Sequence, residues 1–76
     1  MAVINYSGHN ISFTKEHVET IKELTCRGVN YYMLINKRTN ECIGICTDHE
    51  ETHNRCVKLN KESNSQDYIY DFIKNT

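Results

Sequence analysis

One helical segment with both a start signal and a stop signal constrains the fold of this chain most. Thr14 has the side chain of an N-cap residue, and Phe13 and Val18 are spaced to form a hydrophobic staple around it. Gly28 supplies a residue that readily adopts the left-handed conformation in which helices commonly end. We therefore predict a helix over residues 15–27, with one apolar stripe of helical spacing.

The segments on both sides of this helix have the pattern of β-hairpins. Apolar residues alternate with polar ones over residues 4–6 and 11–13, and residues 7–10 between them favour a turn. After the helix, residues 31–46 repeat the arrangement, with strand-forming residues at both ends and turn-forming residues between them. We predict one hairpin before the helix and one after it.

A second helix is predicted to begin near Asp48. Glu51 lies three residues after Asp48, which is the spacing of a capping box. Thr52, Cys56 and Leu59 would then form the inward stripe of this helix.

The last segment is predicted as a third helix, capped by Ser63 or Ser65, with Ile69, Phe72 and Ile73 facing inward. The tyrosines of the same segment alternate with other residues, a pattern that also fits a strand. The choice between helix and strand stays open in the sequence.

These elements define an α+β fold class in a single compact domain of residues 1–76. The predicted order is β-β-α-β-β-α-α, with an antiparallel sheet of two hairpins and helices on one face. Chains this short bury only about 60% of their unfolded surface, so there is room for one modest core. Free sheet edges also make a homodimer a reasonable expectation, because an edge gains from being covered.

Composition narrows the classes of partner. The 76 residues carry nine basic and ten acidic side chains, a net charge of -1, which provides no basic field for nucleic acid or for an acidic membrane. No apolar run is long enough for a membrane span, and the first residues lack a signal-peptide pattern. We therefore expect four free thiols and a cytoplasmic protein without nucleic-acid or membrane partners.

The amino-acid bias suggests a source. Asn, Lys, Thr, Ile, Tyr and Glu are plentiful, whereas Pro and Trp are absent. Such a bias is typical of an AT-rich genome, which leads us to expect a viral or phage accessory protein or a mobile-element product that acts in the host cytoplasm.

One pentapeptide matches a catalytic motif. Residues 49–53 read H-E-x-x-H, in which His49 and His53 would bind zinc and Glu50 would act as general base. Asp48 immediately before the motif and polar residues after it place it in a solvated first turn, unlike a buried catalytic helix. We expect no enzyme, and a small metal-dependent hydrolase that uses these three residues stays as a lesser alternative.

A structural zinc site is the other metal hypothesis. Five potential ligands fall within fifteen residues, and they are of the nitrogen and sulfur types that zinc prefers: Cys42, Cys46, His49, His53 and Cys56. Their spacing departs from the usual zinc knuckles, and free cysteines are commonly small buried hydrophobic residues. We expect no cofactor, with a zinc-stabilised module as the alternative.

Tyrosine-rich surfaces give the leading hypothesis. Five tyrosines exceed what a small core needs, and tyrosine is enriched where proteins bind one another. We predict a non-catalytic module that binds a larger protein partner as a modulator or inhibitor. The candidate binding residues are Tyr31, Tyr32, Asp67, Tyr68, Tyr70 and Asp71.

Overall fold

The computed structural model describes residues 2–6 and 8–75. It contains five strands and two helices in the order β-β-α-β-β-α-β. Their bounds are β1 Ala2–Tyr6, β2 His9–Phe13, α1 Lys15–Arg27, β3 Tyr31–Asn36, β4 Glu41–Cys46, α2 His49–Ser63 and β5 Tyr68–Ile73. The α+β class is confirmed. The predicted side-chain positions of Ile4 and Tyr6 and the turn residue Ser7 lie outside the described part.

The predicted third helix is wrong, because the last segment is strand β5. It pairs antiparallel with β3 at six positions, from Asn36↔Tyr68 to Tyr31↔Ile73. Spacings of three and four residues and spacings of two both occur in this short segment, so its sequence fits either structure. The pairing with β3 favours the strand, since it satisfies the backbone groups of β3 on that side and the inward-facing backbone groups of β5.

The sheet is mixed, whereas a purely antiparallel sheet was predicted. Its strand order is β1-β2-β4-β3-β5, and both predicted hairpins are present as antiparallel pairs. The hairpins meet where β2 runs parallel to β4, and Ser12 N–H donates to Asn40 O at 2.8 Å there. The pattern of each hairpin does not reveal which strands of the two hairpins become neighbours.

The helices lie on opposite faces of the sheet, so the prediction of helices on one face is wrong. Val18 and Ile21 of α1 pack against a core that includes Met33, which defines the α1 face. Side chains of α2 contact the neighbouring positions of β3 and β5, which point the other way and define the α2 face. Strand β3 is buried at four of its six residues. A strand of that kind needs cover on both sides.

The ends of α1 are formed as the sequence predicts. The Thr14 side chain accepts a hydrogen bond from His17 N–H at 3.2 Å. Gly28 closes the helix in the left-handed conformation, with φ 67°, and its N–H donates to the last turn. The predicted bounds of residues 15–27 are confirmed.

Helix α2 buries a narrow stripe against the sheet. Asp48 is its N-cap and accepts from Glu50 N–H, and the helix ends at Asn64 in the left-handed conformation. Thr52 and Cys56 are buried, as predicted. Leu34 of β3, which points to the same face of the sheet, is also fully buried. Within the described residues, no helix is long and apolar enough to cross a membrane.

Candidate functional site: an aromatic surface and the adjoining strand edge

Five aromatic and imidazole rings meet on the α2 face, and we call them the five-ring cluster. Tyr32 is its centre: the ring centroids of Phe72, His49 and Tyr70 lie 5.1, 5.3 and 6.2 Å from its own. His53 completes the set, with its ring centroid 5.9 Å from that of Tyr70. Such distances are those of tilted and edge-to-face aromatic pairs, which are favourable beyond the area that they bury.

Secondary structure brings these rings together. Tyr32 on β3 pairs with Phe72 on β5, and Tyr70 lies two residues before Phe72, so all three share the α2 face. His49 and His53 are one helical turn apart in α2, and their rings stack at 6.2 Å. A hydrogen bond of 3.0 Å joins His53 Nδ1 to the Tyr70 hydroxyl and holds the helix to the strand.

The cluster is a surface. Phe72 is 50% exposed, both histidines are exposed, and the two tyrosines are half-buried. Phe72 was expected in the core, and its exposure follows from the replacement of the predicted helix by a strand. The half-exposed Phe72 ring beside partly exposed tyrosine rings makes this surface a candidate binding site.

The predicted binding residues divide between the two faces. Tyr32, Tyr68 and Tyr70 lie on the α2 face, but Tyr31 points to the α1 face and is only 5% exposed. Asp67 and Asp71 also alternate away from the tyrosines. The structure therefore does not bring Tyr31, Asp67 or Asp71 into the five-ring cluster.

The residues proposed as zinc ligands do not converge. Cys42 is buried on the α1 face, whereas Cys56 is buried on the α2 face, with the sheet between them. His49 and His53 share one side of α2, as their spacing predicts, but their rings contact tyrosines. Among the described residues, no group of three or more His, Cys, Asp or Glu side chains could hold a metal ion.

Glu50, the remaining named residue of the H-E-x-x-H motif, lies on a polar part of the helix surface. Glu50 lines a shallow surface depression with Asp48, Glu51, Asn54, Arg55 and Lys58, which are all polar or charged. Its carboxylate therefore belongs to a solvated part of the helix.

The two buried thiols are held in their neutral form. Burial raises the pKa of Cys42, with a smaller opposing effect from the Gly44 backbone. The Cys42 thiol also donates to Gly44 O at 3.6 Å, a bond that only the protonated thiol can make. Burial likewise raises the pKa of Cys56, with a smaller opposing effect from Asn60. A raised pKa reduces the thiolate fraction, and the thiolate is the nucleophilic and metal-binding form. These cysteines therefore act as small core residues.

A cavity of about 170 Å³ opens on the α1 face, beyond the part of the sheet that α1 covers. Its floor is aliphatic and its rim is polar: it is lined by His9, Ile11, Ile35, Lys37, Asn40, Ile69 and Asp71. It is smaller than the roughly 300 Å³ at which sites for drug-sized ligands begin. Its importance here is that Asp71 borders it, so the side of β5 that faces away from the five-ring cluster is also accessible.

Asn60 has a role that the sequence did not reveal. Its side chain accepts from Tyr68 N–H at 2.9 Å and donates to Tyr68 O at 3.0 Å. The amide thus pairs with both backbone groups of one strand residue, as a neighbouring strand would. Nothing in the spacing around Asn60 signals this contact, because it depends on how α2 lies over β5.

Comparison with protein-family models, with curated proteins and with solved structures finds no match to this chain.

Proposed function

We propose that this chain is a binding module that docks on a larger protein through the five-ring cluster and thereby modulates or inhibits that partner. The observation that carries the proposal is the half-exposed Phe72 ring at the edge of a group of packed aromatic rings. Aromatic residues, phenylalanine included, are enriched in protein interfaces, and tyrosine is among the residues that dominate the binding energy there.

The support for this surface comes from how it is held. Tyr32 contacts three other rings, and the bond between His53 and Tyr70 fixes the helix against the strand. Rings that are already ordered lose little conformational freedom when a partner binds, so more of the contact energy appears as affinity. The charges of the chain nearly balance, which agrees with recognition by shape and apolar contact.

The test is affinity capture with matched surface variants. The tagged chain is incubated with a lysate of the cells that encode it, and bound proteins are identified by mass spectrometry. Phe72→Ala and Tyr70→Ala are expected to lose the partner. Val3→Ala is the control, because Val3 is 63% exposed and lies on β1, at the opposite edge of the sheet from β5.

Each outcome of the capture experiment supports or contradicts docking through the five-ring cluster. A partner that is retained by Val3→Ala and lost by Phe72→Ala supports the proposal. A partner that binds all variants equally would show that docking uses another surface. Binding kinetics of the purified pair then give the affinity, for which hot-spot truncations of this kind change the free energy by about 2 kcal/mol or more.

A further inference from the structure

The backbone of β5 presents alternate residues to the free edge of the sheet. Lys37 N–H donates to Asp67 O at 2.7 Å, so the pair 37/67 is a hydrogen-bonded pair of the antiparallel ladder. Hydrogen-bonded and non-hydrogen-bonded pairs alternate in such a ladder. Ile69 and Asp71 therefore direct their backbone groups toward β3, and the intervening residues direct theirs outward.

Asn60 provides an independent check on this alternation. Both backbone groups of Tyr68 bond to the Asn60 side chain, which places them on the side of β5 away from β3. Three residues of β5 face outward: Tyr68, Tyr70 and Phe72. In the part of the chain that the structure describes, side chains of α2 bond to the backbone of Tyr68 but not to that of the other two. Tyr70 and Phe72 then present two N–H and two C=O groups at the open end of the edge.

Asp71 lies between Tyr70 and Phe72, and its charge determines which kind of segment can pair with this edge. Asp71 lies on the α1 face, where that half of the sheet is uncovered and borders the cavity. A strand added antiparallel to β5 would place one residue directly opposite Asp71, in the close non-hydrogen-bonded arrangement. Opposite charges at such positions stabilise the pair, and like charges destabilise it.

We propose that the free edge at Tyr70–Phe72 receives an extended segment of the protein partner in which a Lys or Arg stands between two apolar residues. The basic residue pairs with Asp71 on the α1 face. The two apolar residues extend the α2 face beside Tyr70 and Phe72, next to the five-ring cluster. This inference rests on the proposed function and gives the partner a backbone conformation and a side-chain pattern.

A second copy of the chain fits this edge poorly. A two-fold pairing that uses the outward groups of Tyr70 and Phe72 places Asp71 opposite Asp71 of the other copy. Two carboxylates at a directly opposed position repel each other. Inward-pointing charges of this kind are a common way in which edge strands avoid pairing with themselves.

The test is a peptide titration followed by amide shifts in NMR spectra of the full chain. One short blocked peptide carries Lys between two valines, and its matched control carries Glu at that position. The Lys peptide is expected to bind about fivefold more tightly than the Glu peptide or better, and to shift the Tyr70 and Phe72 amides most. Equal affinity, no binding, or shifts confined to other strands would overturn the proposal.

Variants of two residues give the controls. Asp71→Lys is expected to reverse the preference between the peptides, and the milder Asp71→Asn to remove it. Phe72→Pro deletes an outward N–H and leaves the bonds to β3 intact, so the chain stays folded and peptide binding is lost. Phe72→Ala keeps the N–H and is expected to retain binding better than Phe72→Pro. The same affinity for both Phe72 variants would contradict docking on the edge.

Sedimentation of the wild-type chain and of Asp71→Asn examines the second copy. The wild type is expected to stay monomeric. Asp71→Asn removes the repulsion between the two carboxylates, so its tendency to self-associate is expected to equal or exceed that of the wild type. A wild-type dimer with protected Tyr70 and Phe72 amides would overturn the choice of occupant. If peptides fail to bind while partner capture still depends on the Phe72 ring, the edge proposal falls and the proposed function stands.

Discussion

The two faces of the sheet are built on different principles. The part of the α1 face that α1 covers is a packed apolar core, in which Phe13, Met33 and Ile35 are each at most 3% exposed and Val18 and Ile21 pack against them. The α2 face has a small buried centre, and around it helix and strand are joined by polar bonds and by rings that remain partly exposed.

This difference separates stability from recognition. Aliphatic burial stabilises a fold in proportion to the area removed from water and leaves little at the surface to bind. The α2 face keeps a large aromatic area at the surface and fixes it with directional bonds. We therefore expect substitutions on the α1 face to reduce folding stability and substitutions in the five-ring cluster to reduce binding.

The largest effect is expected from one pair of phenylalanines. Phe13→Ala should lower the free energy of unfolding by about 3 to 5 kcal/mol, because it empties a buried position on the α1 face. Phe72→Ala should lower it by about 1 kcal/mol or less, since its ring is half exposed. Urea unfolding followed by circular dichroism measures both. Equal losses would mean that the two faces do not divide in this way.

Loss of the Asn60 side chain should have the next largest effect. Asn60→Ala leaves the backbone N–H of Tyr68 without its partner and leaves Tyr68 O with the Cys56 thiol alone, which should reduce the free energy of unfolding by about 1 to 2 kcal/mol. Asn54→Ala is the matched control on an exposed part of the same helix, where about 0.5 kcal/mol or less is expected. A similar loss in both variants would argue against the paired amide.

Removal of either helix N-cap should reduce the free energy of unfolding by a smaller amount. Thr14→Ala and Asp48→Ala each remove an N-cap acceptor and should reduce the free energy of unfolding by about 1 kcal/mol. Thr25→Ala, at an exposed position inside α1, should have no destabilising effect because alanine favours a helix. Thermal unfolding of the three variants checks the ranking, and a Thr25→Ala loss equal to that of Thr14→Ala would contradict it.

Alkaline pH should reveal the smallest effect, a change in how steeply the free energy of unfolding declines with pH. Burial raises the pKa of Cys42 above its ordinary value of 9.0, so the folded chain holds a proton that the unfolded chain releases there. Its contribution to stability is complete below pH 9.0 and is lost as the pH rises through the raised pKa. Cys42→Ala should therefore show a shallower decline above pH 9.0 than the wild type, by urea unfolding at a series of pH values. An unchanged slope would show that this thiol is not shielded.

Local signals in the sequence predicted much of the fold. Thr14 and Gly28 define α1 because capping depends on a few adjacent residues, and the same reasoning placed the start of α2 at Asp48. Both hairpins were predicted from alternation and turn residues, and both are present, but His9 and Asn10, which were predicted in the first turn, belong to β2.

Features that depend on distant pairing could not be predicted. Residues 68–73 fit a helix or a strand, and only the free side of β3 makes them a strand. The opposite placement of the helices and the parallel contact of β2 with β4 are also properties of the assembled sheet.

The candidate site was predicted in part. Tyr32 and Tyr70 were named from tyrosine content, whereas Phe72 was assigned to the core and the histidines were considered only as metal ligands. The contacts between His49, His53 and the tyrosines arise because α2 lies along β5 on one face. That placement has no signal in the local sequence.

Amide hydrogen exchange along β5 measures directly which of its backbone N–H groups are open to a partner. We expect slow exchange at Ile69, Asp71 and Ile73, which bond to β3, and at Tyr68, which bonds to Asn60. We expect fast exchange at Tyr70 and Phe72 in the free chain. Exchange at Tyr70 and Phe72 as slow as that at Asp71 would contradict an open edge beside the five-ring cluster.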